Sequence, residues 1–248
     1  MKTQFFRVRR SYLAAACGLT AASAVTAATL FQSAAAPMAW DAGDQRVTQA
    51  LKRSLQKRVS SPGGKLNLAV HPTSRAGEGY FSEIVIAGRP AKVKKLTISE
   101  LNLRARNVRI DVPYLLQSGE VRTLQSTTTL RAVVTENDLT ALLAKGKRTK
   151  ALGLRVKYIS GNRLLVTGNL NWTLINGPIV GIARLRLIPG SKVNLDVLSL
   201  KLRGAEVPQL VKNQFSSRLN PIIDYEDMPF RPRFKGLRIQ GTKATLSA

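Results

Sequence analysis

Three acidic side chains within four positions, Asp224, Glu226 and Asp227 of "DYEDMP", make the chain's clearest candidate cluster for chemistry. Carboxylates this close can chelate Ca²⁺ or share general acid and base work. The same oxygens can instead pair with nearby Arg231 and Arg233, or cap the helical stretch before them, with no reaction involved. His71 is the sole histidine and Cys17 the sole cysteine. A lone imidazole at the end of a strand reads as an ordinary histidine. A lone thiol forms neither an internal disulfide nor a cysteine cage for zinc. The stretch between Arg10 and Cys17 is too short an apolar run for Cys17 to be a lipid-attachment site. No Walker loop, dinucleotide fingerprint, nucleophile elbow or zincin helix occurs. The expectation is a protein that is not an enzyme, with no catalytic residue, no cofactor and no metal.

Charge says more than chemistry. Lys and Arg number 39 against 14 acids, a formal charge of +25. That excess suits a polyanionic surface: nucleic acid, an anionic membrane leaflet or an acidic envelope polymer. Single-stranded nucleic acid asks for aromatic side chains interleaved with basic ones, and aromatics are only 6% of the chain, without such interleaving. Nucleic acid is therefore not an expected partner. With 44% apolar residues the chain can build a real core.

"MKTQFFRVRRSYLAAACGLTAASAVTAATLFQSAAAP" has a basic start, an Ala-rich apolar run and small residues at its close. Residues 1–36 thus read as an export signal or an N-terminal anchor, ahead of a single domain over 40–248. Ser33 and Ala35 suit cleavage after Ala35, and an earlier site follows Ala27. "RRSYLA" resembles a twin-arginine signal with Val8 before the pair, an ordinary export signal being the alternative. The run is long enough to span a bilayer but weakly apolar. An exported protein, periplasmic or associated with the cell envelope, meets lipid headgroups and envelope polymers as its polyanions.

The elements beyond residue 40 are legible from their periods. Val47, Leu51, Leu55 and Val59 recur every four residues, so 44–59 reads as an amphipathic helix, either packing on the core or lying on anionic lipid by its basic side. Alternation then predicts strands at "KLNLAV", "EIVIAG" and "KVKKLTIS". In "ELNLRARNVRIDV" the phase changes between Ala105 and Val108, which predicts a bulge near Asn107. "DVPYLLQSG" reads as a short helix capped by Asp111 and closed by Gly119. From Val121 a strand carries Leu124, Ser126, Thr128, Leu130, Ala132 and Val134 on one face. It runs into a helix begun by Thr135 and Asp138 and faced by Leu139, Leu142 and Leu143. The second half repeats the style at "LGLRVKYISG", "NRLLVTGNLNWTL", "GIARLRLIP" and "KVNLDVLSLKLRG". In the last of these Leu198, Leu200 and Leu202 are in phase. "SGN", "NGP" and "PGS" mark turns, and Gly168 leaves room for a bend or a close-approaching ligand. "VPQLVKNQFSSRLN" is a helix with Val207, Leu210, Val211, Phe215 and Leu219 as its stripe, ended by Pro221. A short strand, "GLRIQG", and the tail "TKATLSA" complete the chain. These elements predict an α+β fold, a long twisted antiparallel sheet wrapped around a few amphipathic helices.

From about Phe81 to the end, the order of "LTISELNLRARNVRIDV", "TTTLRAVVTENDLTALL", "NRLLVTGNL", "VPQLVKNQFSSRLNPIIDYEDMPF" and "GLRIQGTKATL" resembles the LmeA family of phospholipid-binding bacterial envelope proteins. The resemblance covers roughly two-thirds of the chain and rests on patterns of elements. It implies a fold like one half of a tubular lipid-binding protein, with a curved sheet around a long helix enclosing an apolar groove. It also implies a phospholipid partner.

On that basis Leu130, Val134, Leu154, Val156, Tyr158, Leu164, Val166, Leu170, Trp172, Leu185, Leu187, Val211 and Phe215 are expected to line the groove. Arg155, Lys157, Arg184 and Arg186 are expected to meet anionic headgroups or an anionic membrane surface. The expected function is non-enzymatic binding or transfer of phospholipid at the cell envelope. The alternative is a closed-core basic scaffold on an acidic envelope polymer, because alternation fits a filled core as well as a lined cavity. The oligomeric state is open.

Overall fold

The aliphatic rows become the inner faces of antiparallel sheets. The computed structural model describes residues 42–146, 149–172, 175–188, 192–224, 226 and 228–248. The segment read as a signal or anchor, residue Asp227 and the "PGS" turn lie outside them. α1 (Ala42–Arg58) leads to β1 (Val59–Ser60), β2 (Lys65–Pro72), β3 (Tyr80–Arg89), β4 (Ala91–Val93), β5 (Leu96–Ile98) and β6 (Glu100–Ile110). α2 (Val112–Ser118), β7 (Thr123–Thr135) and α3 (Glu136–Lys145) follow. Next come β8 (Arg155–Ile159), β9 (Arg163–Trp172), β10 (Ile175–Ile188), β11 (Lys192–Leu202) and β12 (Ala205–Glu206). α4 (Gln209–Leu219), β13 (Ile223–Asp224), β14 (Gly236–Gln240) and β15 (Lys243–Ser247) complete the order.

The fold is α+β with antiparallel sheets, and the strands of the described residues divide among three of them. The first large sheet runs β14-β15-β7-β6-β3-β2, and the second runs β12-β11-β10-β9-β8 with β13 beside β11. A small sheet joins β1, β4 and β5. The division falls where Thr135 ends β7 and caps α3: Asp138 N–H donates to Thr135 Oγ1, and the Asp138 carboxylate accepts from Thr135 N–H. The chain thereby leaves the first sheet, and its next strand opens the second.

Helix and loop side chains cover strand edges. On β8, Val156 N–H donates to Thr140 Oγ1 (3.0 Å) and Tyr158 N–H to Glu136 Oε1 (2.7 Å), both from α3. Asn162, in the β8–β9 turn, donates to Leu237 O (3.3 Å) and accepts from Ile239 N–H (3.1 Å), tying the second sheet to β14 of the first. One hydrophobic core joins α1, both large sheets, α3, α4 and the residues around Phe234. The stripe of α1, with Val47, Leu51 and Leu55 buried, packs into it. Among the described residues no helix is long and apolar enough to cross a membrane.

Several local expectations hold and several give way. The β6 bulge forms with Asn107 at φ 50° and a register shift between Arg106 and Arg109. Asp111 caps α2 and Gly119 closes it in the left-handed conformation. Residues 92–99 are not one strand. Val93 pairs with Leu96 across a two-residue turn at Lys94 (φ 52°), making the β4–β5 hairpin. "NGP" lies inside β10, where Asn176 pairs with Asn171. Leu198 is out of phase with Leu200 because the β10–β11 register shifts at Ile182/Ala183, leaving Leu198 unpaired and exposed. Leu210 is exposed, since α4 buries the i, i+4 row of Phe215 and Leu219, and Leu210 sits off that row. The space beside Gly168 is taken by the chain itself: a Cβ there would lie 2.6 Å from Leu152 O and 2.8 Å from Leu154 Cδ2.

Candidate functional site

Leu130 and Val134 stand on β7, Leu154 just before β8, and Val156 and Tyr158 on β8. Leu164, Val166 and Leu170 belong to β9, Leu185 and Leu187 to β10, and Val211 and Phe215 to α4. Register brings them together: Val156 faces Val166, and Tyr158 faces Leu164. They pack carbon on carbon in the common core, Leu187 and Val211 at its margin. Trp172 ends β9, and its side chain lies outside the described residues. Tyr158 donates its hydroxyl to Val134 O at 3.3 Å. Burial, with Asp138 and Glu136 nearby, pushes that phenol above the usual tyrosine range, so it stays a neutral donor.

The cations expected to meet lipid lie on the outer face of the second sheet. Arg155, Lys157, Arg184 and Arg186 are exposed, and Arg163 stands opposite Arg184. Arg186 Nε donates to Asp196 Oδ2 at 2.7 Å. Asp224 is committed elsewhere than the sequence suggests. Because β13 pairs with β11, its carboxylate meets Lys192 Nζ at 3.2 Å, while its other oxygen accepts from Glu226 N–H at 3.0 Å. Among the described residues no group of three or more His, Cys, Asp or Glu could hold a metal ion.

Open space lies elsewhere, in four clefts that described residues between Pro221 and Arg231 help to line. A cleft of 330 Å³ has an apolar wall of Leu96 of β5, Leu142 of α3, and Ile222, Ile223 and Met228, and Lys94, Lys95 and Asp224 line it too. A neighbouring cleft of 310 Å³ continues across Leu142, Leu143, Leu219 and Ile222. Lys94 is shared between the 330 Å³ cleft and a basic one of 520 Å³, where Lys57, Arg58, Lys92 and Arg231 face Glu120 and Glu226. Met228 is shared with a fourth cleft of 530 Å³ that Tyr114, Leu124, Arg122 and Phe230 also line. Each volume falls in the lower part of the range of small-molecule sites, about 300–1,000 Å³. None of the residues expected to line a groove or to meet headgroups borders these four clefts, whereas Asp224, Glu226 and Arg231 of the acidic stretch and its expected partners do.

Three of the six non-glycine residues at positive φ among the described residues border these clefts, the others being Asn107, Asn162 and Arg203. Lys94 (φ 52°), Phe230 (φ 58°) and Arg231 (φ 42°) all adopt left-handed conformations and all line the clefts. Such residues persist only where surrounding contacts over-determine them, commonly at ligand clamps. A sequence signal for the segment existed in "NPIIDYEDMPFRPRF". It is rich in Ile, Met and Phe, punctuated by proline and without helical or strand period. Aperiodic apolar residues escape a search by periodicity.

The family model described as LmeA-like phospholipid-binding matches residues 39–248, taking in α1 and β2 as well as everything after them. No curated protein and no solved structure matches the chain.

Proposed function

The chain belongs to the LmeA-like phospholipid-binding family, and from that premise we propose that it lifts single phospholipids out of a membrane and holds them in the clefts along residues 221–231. The observation that carries this is a cleft with an aliphatic wall next to a basic one, with Lys94 lining both. An acyl chain would lie against Leu96, Leu142, Ile222, Ile223 and Met228. Its phosphate would meet Lys57, Arg58, Lys92 and Arg231. The rows that include Val156, Tyr158, Leu164 and Val166 form the packed wall behind, reached through α3, which sits on β8. Arg155, Lys157 and Arg184 on the outer sheet face add long-range attraction to an anionic membrane.

Energetics suit reversible transfer. Burying about ten methylenes contributes about 8 kcal/mol relative to water, equivalent to roughly micromolar affinity. Relative to a bilayer, where the chain is already dry, the net is near zero. Uptake and release then need no energy source. The export signal read in residues 1–36 supports work at the cell envelope.

The dense packing of the expected groove rows favours one second reading, a closed-core basic scaffold on an acidic envelope polymer. Native mass spectrometry of the purified protein, with organic extraction, separates the two. One phospholipid per chain, with occupancy reduced in Leu142→Glu while the circular dichroism spectrum is kept, is the expected result. A lipid-free protein that ignores phospholipid and binds acidic polymer with strong salt sensitivity overturns it.

A further inference from the structure

Large apolar side chains stay in solvent at the tip formed by α2 and the start of β7. Leu116 is 42% exposed and Leu124 53%, with Tyr114 also in solvent, while Leu115 between them is buried in the core. The tip is firmly built. Asp111 caps Tyr114 N–H (3.0 Å), and Gly119 N–H closes the helix on Leu115 O (2.9 Å). Two arginines border the patch, each beside a carboxylate. The Arg122 guanidinium lies 6.0 Å from the Tyr114 ring centroid and 3.9 Å from the Asp111 carboxylate, and Arg58 pairs with Glu120 in the turn that follows α2. Tyr114, Leu124, Arg122 and Arg231 also line the 530 Å³ cleft.

We propose that this tip seats the protein on an anionic bilayer. Tyr114, Leu116 and Leu124 enter the headgroup layer, and Arg58, Arg122 and Arg231 meet lipid phosphates. Aromatic and aliphatic side chains beside arginines are the composition that interfacial binding selects, apolar area and charge acting together. The proposal rests on the phospholipid-binding reading, because the docking residues form part of the rim through which a lipid would pass. A rival apolar patch exists on the outer face of the second sheet, where Val180 is 47% and Leu198 41% exposed. Neither residue borders any of the four clefts, so docking there would not join membrane to site.

The test is flotation of the full chain with vesicles of equal parts phosphatidylglycerol and phosphatidylcholine, and with phosphatidylcholine alone. The wild type should float with the anionic vesicles and not with the neutral ones. L116S/L124S should bind about tenfold more weakly, from the loss of two half-exposed leucines, and V180S/L198S should match the wild type. All four side chains are exposed, so both variants should keep the wild-type melting temperature. Undiminished binding of L116S/L124S, loss confined to V180S/L198S, or equal binding to neutral vesicles overturns the proposal. Native mass spectrometry on the same preparations separates the two levels. Lipid retained without docking sinks the tip alone, and docking without any retained lipid sinks the cleft.

Discussion

Asp138 is a buried carboxylate that accepts from Ser99 Oγ (2.6 Å), Thr135 N–H (2.9 Å) and Thr135 Oγ1 (2.8 Å). Its cap on α3 was readable because Thr135 and Asp138 are three positions apart. Ser99, thirty-nine positions away, was not. Asp138→Ala should destabilise the protein by about 1–3 kcal/mol, through loss of the cap and of partners for buried donors. Urea denaturation at neutral pH checks this. Glu206 is a milder case. Its hydrogen bond from Lys212 Nζ (2.6 Å) holds the carboxyl below the usual range. A depressed folded value gives stability that is present above the unfolded carboxylate range and lost as pH falls through the folded value. Urea midpoints of wild type and Glu206→Gln should therefore differ slightly at pH 7 and converge in acid. The difference is small because the carboxylate is at the surface.

At the scale of elements, alternation fixed which strand face turns inward. Partner strands decided where that alternation breaks. The β6 bulge announces itself by a phase change within one segment. The break at Leu198 does not, because it depends on β10: β11 crowds onto Gly181, where a Cβ would lie 2.9 Å from Ser199 O and 3.0 Å from Leu200 Cδ1. Gly168 shows the same dependence on a neighbour, since Leu152 O fills the space that a ligand was expected to use. Gly168→Ala should cost about 1–3 kcal/mol, because the obstructing atom is backbone and cannot rotate away. A lowered thermal midpoint with an unchanged spectrum at 20 °C is the outcome to look for, 20 °C being roughly where folded domains are most stable. Leu154→Asp, which places a charge in the packed core, should instead abolish cooperative unfolding. That makes it a poor probe of lipid uptake.

Across the whole molecule, the clefts draw on α1 (Lys57, Arg58), β4 and its turn (Lys92, Lys94), α3 (Leu142) and the 221–231 segment. Charge acts at this scale too. With a formal +25, attraction to anionic vesicles should weaken as ionic strength rises from physiological to 1 M, when the screening length shrinks from about 8 to about 3 Å. Lipid already held against the aliphatic wall should stay bound, because its contact with carbon is not screened. Flotation and native mass spectrometry at the two salt concentrations should therefore diverge. Parallel loss of both would show that charge alone retains the lipid.

Periodicity, capping pairs and composition depend on near neighbours. The chain alone therefore settled the α+β class, most strand faces, the α3 cap and the strong basic charge. The resemblance to a phospholipid-binding family was also legible there. Whether the aliphatic rows would meet each other or enclose space could not be read locally, since an inward Leu looks the same in either case. Packing of the two large sheets with α1, α3 and α4 closed those rows into core. Four clefts were left beside a proline-punctuated stretch whose sequence has no period. Those contacts join residues far apart in sequence, and only the tertiary structure brings them together.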